Sequence, residues 1–191
     1  MNPYVQRMKT AIAGYCDKAS AAAAEIERAY SLYQQEPAKR EEQRIRDKLA
    51  KERAAAEAEI DAACNEALAG VKAWGKLDGA KMTDDVKLLD VGVTPKQFSE
   101  LVDKYQDNYT MLNALIRYAD NANRTAARDA HGVPETYYDT ARIPTPEAKT
   151  ARWEKVYNGA RSMLSNLERG DTFTRTLAES GVKTWGENID I

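Results

Sequence analysis

Two adjacent carboxylates are the first candidates for chemistry in this sequence. Asp84 and Asp85 could hold a metal ion through their oxygen atoms, or share a proton for acid–base catalysis. They follow Thr83 at the start of a short apolar segment, where threonine and acidic residues stabilise the N-terminus of a helix. We therefore interpret this group as a helix cap.

Histidine and cysteine are too few for the common catalytic and metal sites. The one histidine, His131, excludes a multi-histidine metal site and argues against a Ser–His–Asp arrangement. Cys16 and Cys64 stand in alanine-rich segments, where cysteine behaves as a small apolar residue. The phosphate-binding motifs G-x-x-x-x-G-K-S/T and G-x-G-x-x-G are absent from the sequence. We expect a protein that is not an enzyme, with no catalytic residue, metal or cofactor.

The first element that could position a functional site is a long helix at the start of the chain. Asn2 can cap its first turn, and Pro3 suits the first helical position. Apolar residues then recur at spacings of three and four, which places them along one side of the helix. The middle of this stripe is alanine, which buries little area and must approach a partner helix closely. The stripe comprises Tyr4, Met8, Ala11 or Ile12, Tyr15, Ala19, Ala22, Ile26, Tyr30 and Tyr33.

A second long helix follows a break at Pro37. Proline disfavours helical geometry in the residue before it but suits the first turn of a new helix. We predict this helix from Pro37 or Ala38 to Trp74, so the two rods measure about 45 and 55 Å. The short break favours an antiparallel, coiled-coil-like hairpin. Its seam in the second helix comprises Ile45, Leu49, Ala56, Ile60, Ala63, Ala67 and Val71 or Trp74.

The alanine seam is too thin to stabilise a hairpin alone. Two helices also leave one side of each stripe open to water, so more apolar surface must come from elsewhere in the chain or from another subunit. We therefore predict that the protein is a homo-oligomer. The residues that we assign to its self-association are Tyr15, Ala19, Ala22, Ile26, Tyr30, Leu49 and Ile60.

Charge and hydropathy restrict the partners. Charged residues make up 30% of the chain, the formal net charge is −2, and both signs alternate along the second helix. Neighbouring carboxylates cancel the basic residues there, which argues against a nucleic-acid partner. No apolar run approaches the roughly 20 residues that a membrane helix needs. We expect a cytoplasmic protein without a membrane partner.

The middle of the chain predicts a compact unit. Gly75 and Gly79 end the long helix. Three short helices with large aliphatic residues follow, and Thr94 with Gln97 forms the capping box of the second.

This region carries a resemblance. Four segments, Leu77–Gly79, Thr83–Leu89, Thr94–Tyr105 and Asn108–Met111, together resemble helical proteins of tailed bacteriophages. The likeness covers residues 1–122 and consists of a long helical segment that leads into a small three-helix unit. It implies a virion structural or head-assembly protein, located in the cytoplasm of the bacterial host or in the virion. It also implies other phage structural proteins as partners.

The last third of the chain predicts a connector and C-terminal helices. Thr145, Pro146 and Glu147 open a helix, because threonine caps it and proline suits its first position. Two tryptophans, Trp153 and Trp185, have two interpretations. Each folds back onto the helical core, or each is an exposed aromatic anchor for a partner.

The sequence therefore predicts an all-α protein. Its predicted parts are a long helical hairpin over 1–76, a compact three-helix unit over 77–132, and a connector with C-terminal helices over 133–191. The leading hypothesis for function is a non-enzymatic phage structural or head-assembly protein that acts through helical self-association. The alternative is a monomeric helical adaptor, or a phage-encoded inhibitor that binds a host protein or nucleic acid.

Overall fold

The structure, a computed structural model, describes residues 2–129, 137–168, 180, 181 and 185. Over these residues it is all-helical and contains no strand, which confirms the predicted fold class. The elements are α1 (Pro3–Leu32), α2 (Gln35–Trp74), a 3₁₀ turn (Gly79–Lys81), α3 (Val86–Val91), α4 (Pro95–Lys104), α5 (Tyr109–Asp129) and α6 (Pro146–Glu168).

Helix α1 begins as the sequence predicts. The Asn2 side chain accepts a hydrogen bond from the Tyr4 N–H at 3.0 Å, and Pro3 occupies the first helical position. The helix ends at Leu32, and Tyr33 with an extended backbone follows it. The first long helix is thus closed at its start by a side chain and at its end by a change of backbone conformation.

Pro37 does not separate the two long helices, which corrects the predicted boundary. Helix α2 starts at Gln35, and Pro37 is its third residue. The Ala38 N–H donates to the Gln34 carbonyl at 3.0 Å as the first hydrogen bond of the helix. The N–H groups at the first three positions of a helix have no partner within it, so proline at the third position forfeits no hydrogen bond.

The chain divides into two compact units. The first consists of Met1–Leu68 and Ala151–Ile191, and the second of Ala69–Thr150. This division differs from the three consecutive segments that the sequence predicts, because α2 and α6 each contribute residues to both units. Helical residues belong to the unit against which their side chains pack, and that is not visible in a linear pattern.

The first unit contains α1, most of α2 and most of α6. Helices α1 and α2 are packed against each other, as predicted for a hairpin. Helix α6 lies on one side of them: the Trp153 ring meets the Tyr4 ring edge-on at 5.9 Å, and the Tyr157 hydroxyl donates to Asp61 at 3.0 Å. The largest fully buried side chains of this unit are Val5, Met8, Ile12, Ile60 and Leu164. Three helices therefore share this core.

The second unit has a core of aromatic and aliphatic side chains. Its buried cluster includes Phe98, Met111, Leu112 and Leu115 from α4 and α5. The predicted capping box is present, since Thr94 accepts from the Gln97 N–H while the Gln97 side chain accepts from the Thr94 N–H. This unit matches the dense core expected from the middle of the sequence.

The connector before α6 packs onto this second core. Tyr138 and Ile143 are buried in it, whereas Tyr137 is exposed. The Tyr138 hydroxyl donates to the Val93 carbonyl at 2.6 Å, and its hydrogen bond with Tyr118 raises the pKa of Tyr138 to about 12. A segment with little periodicity is thus held by an aromatic side chain and its polar tip.

Candidate functional site

The two long helices run antiparallel, and polar pairs mark their register. Arg7 lies within 2.8 Å of Glu59, and Lys18 is paired with Glu52. Residues later in α1 pair with residues earlier in α2, as an antiparallel arrangement requires. Such exposed pairs contribute little free energy each, but they define which turns of the two helices are opposite each other.

Most of the predicted self-association seam lies between the two helices. Tyr15, Ala19 and Ala22 of α1 are buried, as is Ile60 of α2. These residues are already covered within one chain. They contribute to the fold of the hairpin before they can contribute to any contact between chains.

The outer end of the predicted seam needs correction at one residue. Tyr30 is 46% exposed, and the buried residue at that level of α1 is Ala29, at 4%. A strict seven-residue repeat through Ala22 and Ile26 reaches 29 rather than 30, and that repeat keeps side chains facing a neighbouring helix. The Tyr30 hydroxyl instead donates to the Glu42 carboxylate at 2.6 Å, at the edge of the hairpin.

The described residues leave a groove uncovered where α6 ends. It has a volume of about 590 Å³ and lies between α1 and α2, beside Leu167 in the last turn of α6. Among the described residues that line it, Arg46 alone is charged. We call this the hairpin groove; its apolar lining includes Ala19, Ala22, Ala23, Ile26, Leu49 and Leu167.

The other side of the hairpin at the same level is charged. A smaller pocket of about 140 Å³ there is lined by Lys18, Glu25, Lys48 and Glu52 together with apolar residues. The two sides therefore differ in chemistry. The charged side suits water, whereas the hairpin groove offers apolar surface to a third helix.

Trp153 is not the exposed anchor that one interpretation of the sequence proposed. Its side chain is only 3% exposed, because α6 directs it against Tyr4 in the core of the first unit. For this residue the structure supports the other interpretation, a side chain that folds back. Trp185 is half-buried, and its indole Nε1 stands 3.4 Å from the position that a Cβ would take at Gly159.

The aspartate pair has a structural role that differs from the predicted cap. The Asp85 side chain makes no capping hydrogen bond. Its carboxylate accepts instead from the Lys104 ammonium and from the Tyr105 hydroxyl, each at 2.6 Å. These two donors lower the pKa of Asp85. Asp84 pairs with Lys87 on the surface. The two carboxylates therefore serve separate partners, and they do not form a joint acid–base or metal site.

The remaining candidates for chemistry show no joint site in the part of the chain that the structure describes. No group of three or more histidine, cysteine, aspartate or glutamate side chains there could hold a metal ion. Cys16 and Cys64 are buried free thiols, and burial raises the pKa of Cys64. His131 lies outside the described residues.

Membrane-spanning helices and similar known proteins were the two remaining guides to function. Among the described helices none is both long and apolar enough to cross a membrane. Comparison of the chain with protein-family models, with curated proteins and with solved structures gives no match.

Proposed function

We propose that this chain is a non-enzymatic structural or head-assembly protein of a tailed bacteriophage, and that it acts by helical self-association and by contacts with other phage structural proteins. The residue pattern over 1–122 supports the assignment to phages. The hairpin groove is the main support for self-association as the mode of action.

The hairpin groove is the continuation of the position that α6 fills. Leu167, in the last turn of α6, is buried and lines the end of the groove. Beyond it the described chain provides no third helix, although Ile26 and Leu49 remain only partly covered there. A helix of a second copy would extend the three-helix packing that α6 provides and remove that apolar surface from water.

Small side chains make the hairpin groove suitable for a helix. Ala19, Ala22 and Ala23 leave room for a helix backbone to approach closely, and larger side chains of the second copy can fill the space above them. Association must still exceed the entropic cost of binding, so the area buried has to extend along several helical turns. We assign the groove to a second copy of this chain.

Charge on the hairpin argues for protein contacts over nucleic acid. Basic residues of α2 are paired with carboxylates one turn away: Lys39 with Glu36, and Arg46 with Glu42. Phosphate binding requires cations that are not compensated in this way. In the alternative function, a monomeric adaptor or inhibitor, the hairpin groove would hold a helix of a host protein.

A charge placed in the groove tests the proposal. Ala23 lines the hairpin groove but is exposed within one chain, so Ala23→Glu should leave the hairpin folded. It should weaken self-association about tenfold or more, because an unpaired carboxylate would be desolvated in the contact. Sedimentation velocity over a range of concentrations measures the association, and a circular dichroism melt checks the fold.

Ala24→Glu is the matched control. Ala24 is also exposed but is not in the lining of the hairpin groove. The same substitution there should change neither the degree of self-association nor the melting temperature. A wild-type protein that stays monomeric at every concentration would contradict self-association and favour the adaptor. Equal effects of both substitutions would contradict the assignment of the groove.

A further inference from the structure

A long run of the second unit contributes no residue to its buried core. None of residues 75–92 is buried, although this run includes both the 3₁₀ turn and α3. The buried cluster is supplied instead by Val93, by α4 and its end at Tyr105, by α5, and by Tyr138 and Ile143 of the connector. The core can therefore remain intact while part of the run leaves it, because local opening needs few buried contacts to break.

Side chains attach this run to the core at two points. The Asn108 amide donates to the Lys81 carbonyl at 2.8 Å. Further along, Val93 is buried, and its carbonyl accepts from the Tyr138 hydroxyl at 2.6 Å. We call the segment between these two points, residues 82–92, the strap. Because the chain is fixed on both sides of it, a local movement would be confined to the strap.

Apolar burial holds the strap only loosely. Its helix α3 has six residues, and the first turn is closed by hydrogen bonds that span three residues, a geometry poorer than that of an α-helix. Val86 and Leu89 are half-buried against the core cluster. Leu88 and Val91 are exposed, at 48% and 88%, and so contribute little.

One carboxylate supplies the strongest attachment of the strap. Asp85 accepts from the Lys104 ammonium and from the Tyr105 hydroxyl, each at 2.6 Å, and its side chain is 29% exposed. The Tyr105 hydroxyl also lies 2.8 Å from the Thr83 Oγ1, and the Thr83 N–H donates to the Met111 Sδ at 3.4 Å. Hydrogen bonds to a charged group are roughly twice as strong as neutral ones, so the Asp85 contacts are the main attachment.

We propose that the strap opens as a unit while the rest of the second unit stays folded, and that Asp85 is the clasp that keeps it closed. Gly92, with a φ of 93°, gives the backbone conformational freedom at one end of the strap. Opening exposes the inner sides of Val86 and Leu89 and the part of the core against which they pack. The strap lies wholly in the second unit, so its opening does not require the self-association proposed for the first.

Hydrogen exchange of the full-length chain, followed by NMR, tests the strap at single residues. In the wild type, the Asp90 and Val91 amides of the strap should exchange at least tenfold faster than the Leu112 amide of α5, after correction for intrinsic rates. Equal protection of these amides, with exchange only on global unfolding, would overturn the proposal.

Two variants remove the clasp from either side. Asp85→Asn removes the charge with little change in shape, and should speed exchange at Asp90 and Val91 about tenfold while leaving Leu112 unchanged. Lys104→Met removes a partner of the carboxylate and should act in the same direction. The double variant should open less than the product of the two single effects predicts, because both substitutions break the same contact.

Asp84→Asn is the matched control. Asp84 is exposed and pairs with Lys87 at 2.7 Å, away from the clasp, so the same substitution there should leave exchange of the strap within about twofold of the wild type. An effect of Asp85→Asn no larger than that of Asp84→Asn would overturn the role of Asp85. An Asp85→Asn variant that speeds exchange at Leu112 as much as at Val91 would overturn separate opening of the strap.

Discussion

The inner and outer halves of the hairpin have the same helices but different cores. In the inner half, α6 covers α1 and α2, and Met8, Ile12 and Ile60 have no exposed surface. In the outer half, beyond Leu167, the buried residues are small ones such as Ala29 and Ala38, with Ile45 as the large exception. Large apolar side chains there are exposed instead: Tyr30, Leu32 and Tyr33 at 46%, 63% and 55%.

This difference shows what a third helix contributes. Two alanine-rich helices bury only narrow stripes against each other, so large side chains need a third surface before they can leave water. Where α6 provides that surface, the sequence carries isoleucine and methionine. Where α6 ends, the two helices are held by alanine contacts, by Ile45 and by polar pairs at their edges.

The largest expected effect comes from the inner half. Ile60→Ala removes a fully buried side chain from a core shared by three helices, and should destabilise the first unit by about 3 kcal/mol. Leu49→Ala, in the half-covered outer part, should cost less than half as much because water already reaches that side chain. Denaturant unfolding of both variants checks the ratio; equal costs would contradict the distinction between the two halves.

A buried charge should have the next largest effect. Ala22 is 8% exposed, between the helices, so Ala22→Glu must either bury a carboxylate or separate the helices. We expect a loss of about 2 kcal/mol in stability, against no change for Ala24→Glu on the exposed surface. Thermal unfolding by circular dichroism measures both. An unchanged melting temperature for Ala22→Glu would show that the outer hairpin opens there at little cost.

The smallest expected effect is a loss of stability of the hairpin at low pH. Hydrogen bonds from Tyr30 and Arg46 lower the pKa of Glu42, and the hydrogen bond from Lys18 lowers the pKa of Glu52. A lowered pKa stabilises the fold above the ordinary glutamate pKa of about 4.3, and this stabilisation is lost as pH falls through the folded value. Because the outer half depends more on such pairs, it should loosen first at low pH.

Hydrogen exchange measures this acid effect. After correction for intrinsic exchange, amide protection near Glu42 and Glu52 should fall between pH 7 and pH 3 more than protection near Met8 and Ile60. The double variant Glu42→Gln with Glu52→Gln serves as the control, since it should remove most of the pH dependence. Uniform loss of protection along both halves would contradict the prediction.

Local signals in the sequence predicted local structure well. The cap at Asn2, the end of α2 at Trp74 and the capping box at Thr94 all lie where the sequence placed them, because each depends on neighbours within a few residues. The predicted start of the second helix, at Pro37 or Ala38, was wrong by less than one turn, since α2 starts at Gln35. The first turn of a helix tolerates proline at several positions, so the residue alone does not specify which one.

Signals that depend on distant partners were less informative. The sequence predicts that Asp85 is a cap, yet its carboxylate accepts hydrogen bonds from Lys104 and Tyr105, which come close because α3 and α4 both pack on α5. Tyr30 and Ala29 are both compatible with a spacing of three or four. Only the heptad continued by the neighbouring helix selects the alanine.

The sequence by itself determined that the chain is helical, where its two long rods lie, and that their seam is too poor in large side chains to be sufficient alone. Periodicity, capping and composition act over a few turns, and they need no knowledge of other elements. The tertiary structure decided which part of the seam remains open. The length of α6 relative to the hairpin determines how far a third helix covers it, and packing against α6 places the Trp185 indole beside Gly159. Both are relations between distant segments, which arise from packing in three dimensions.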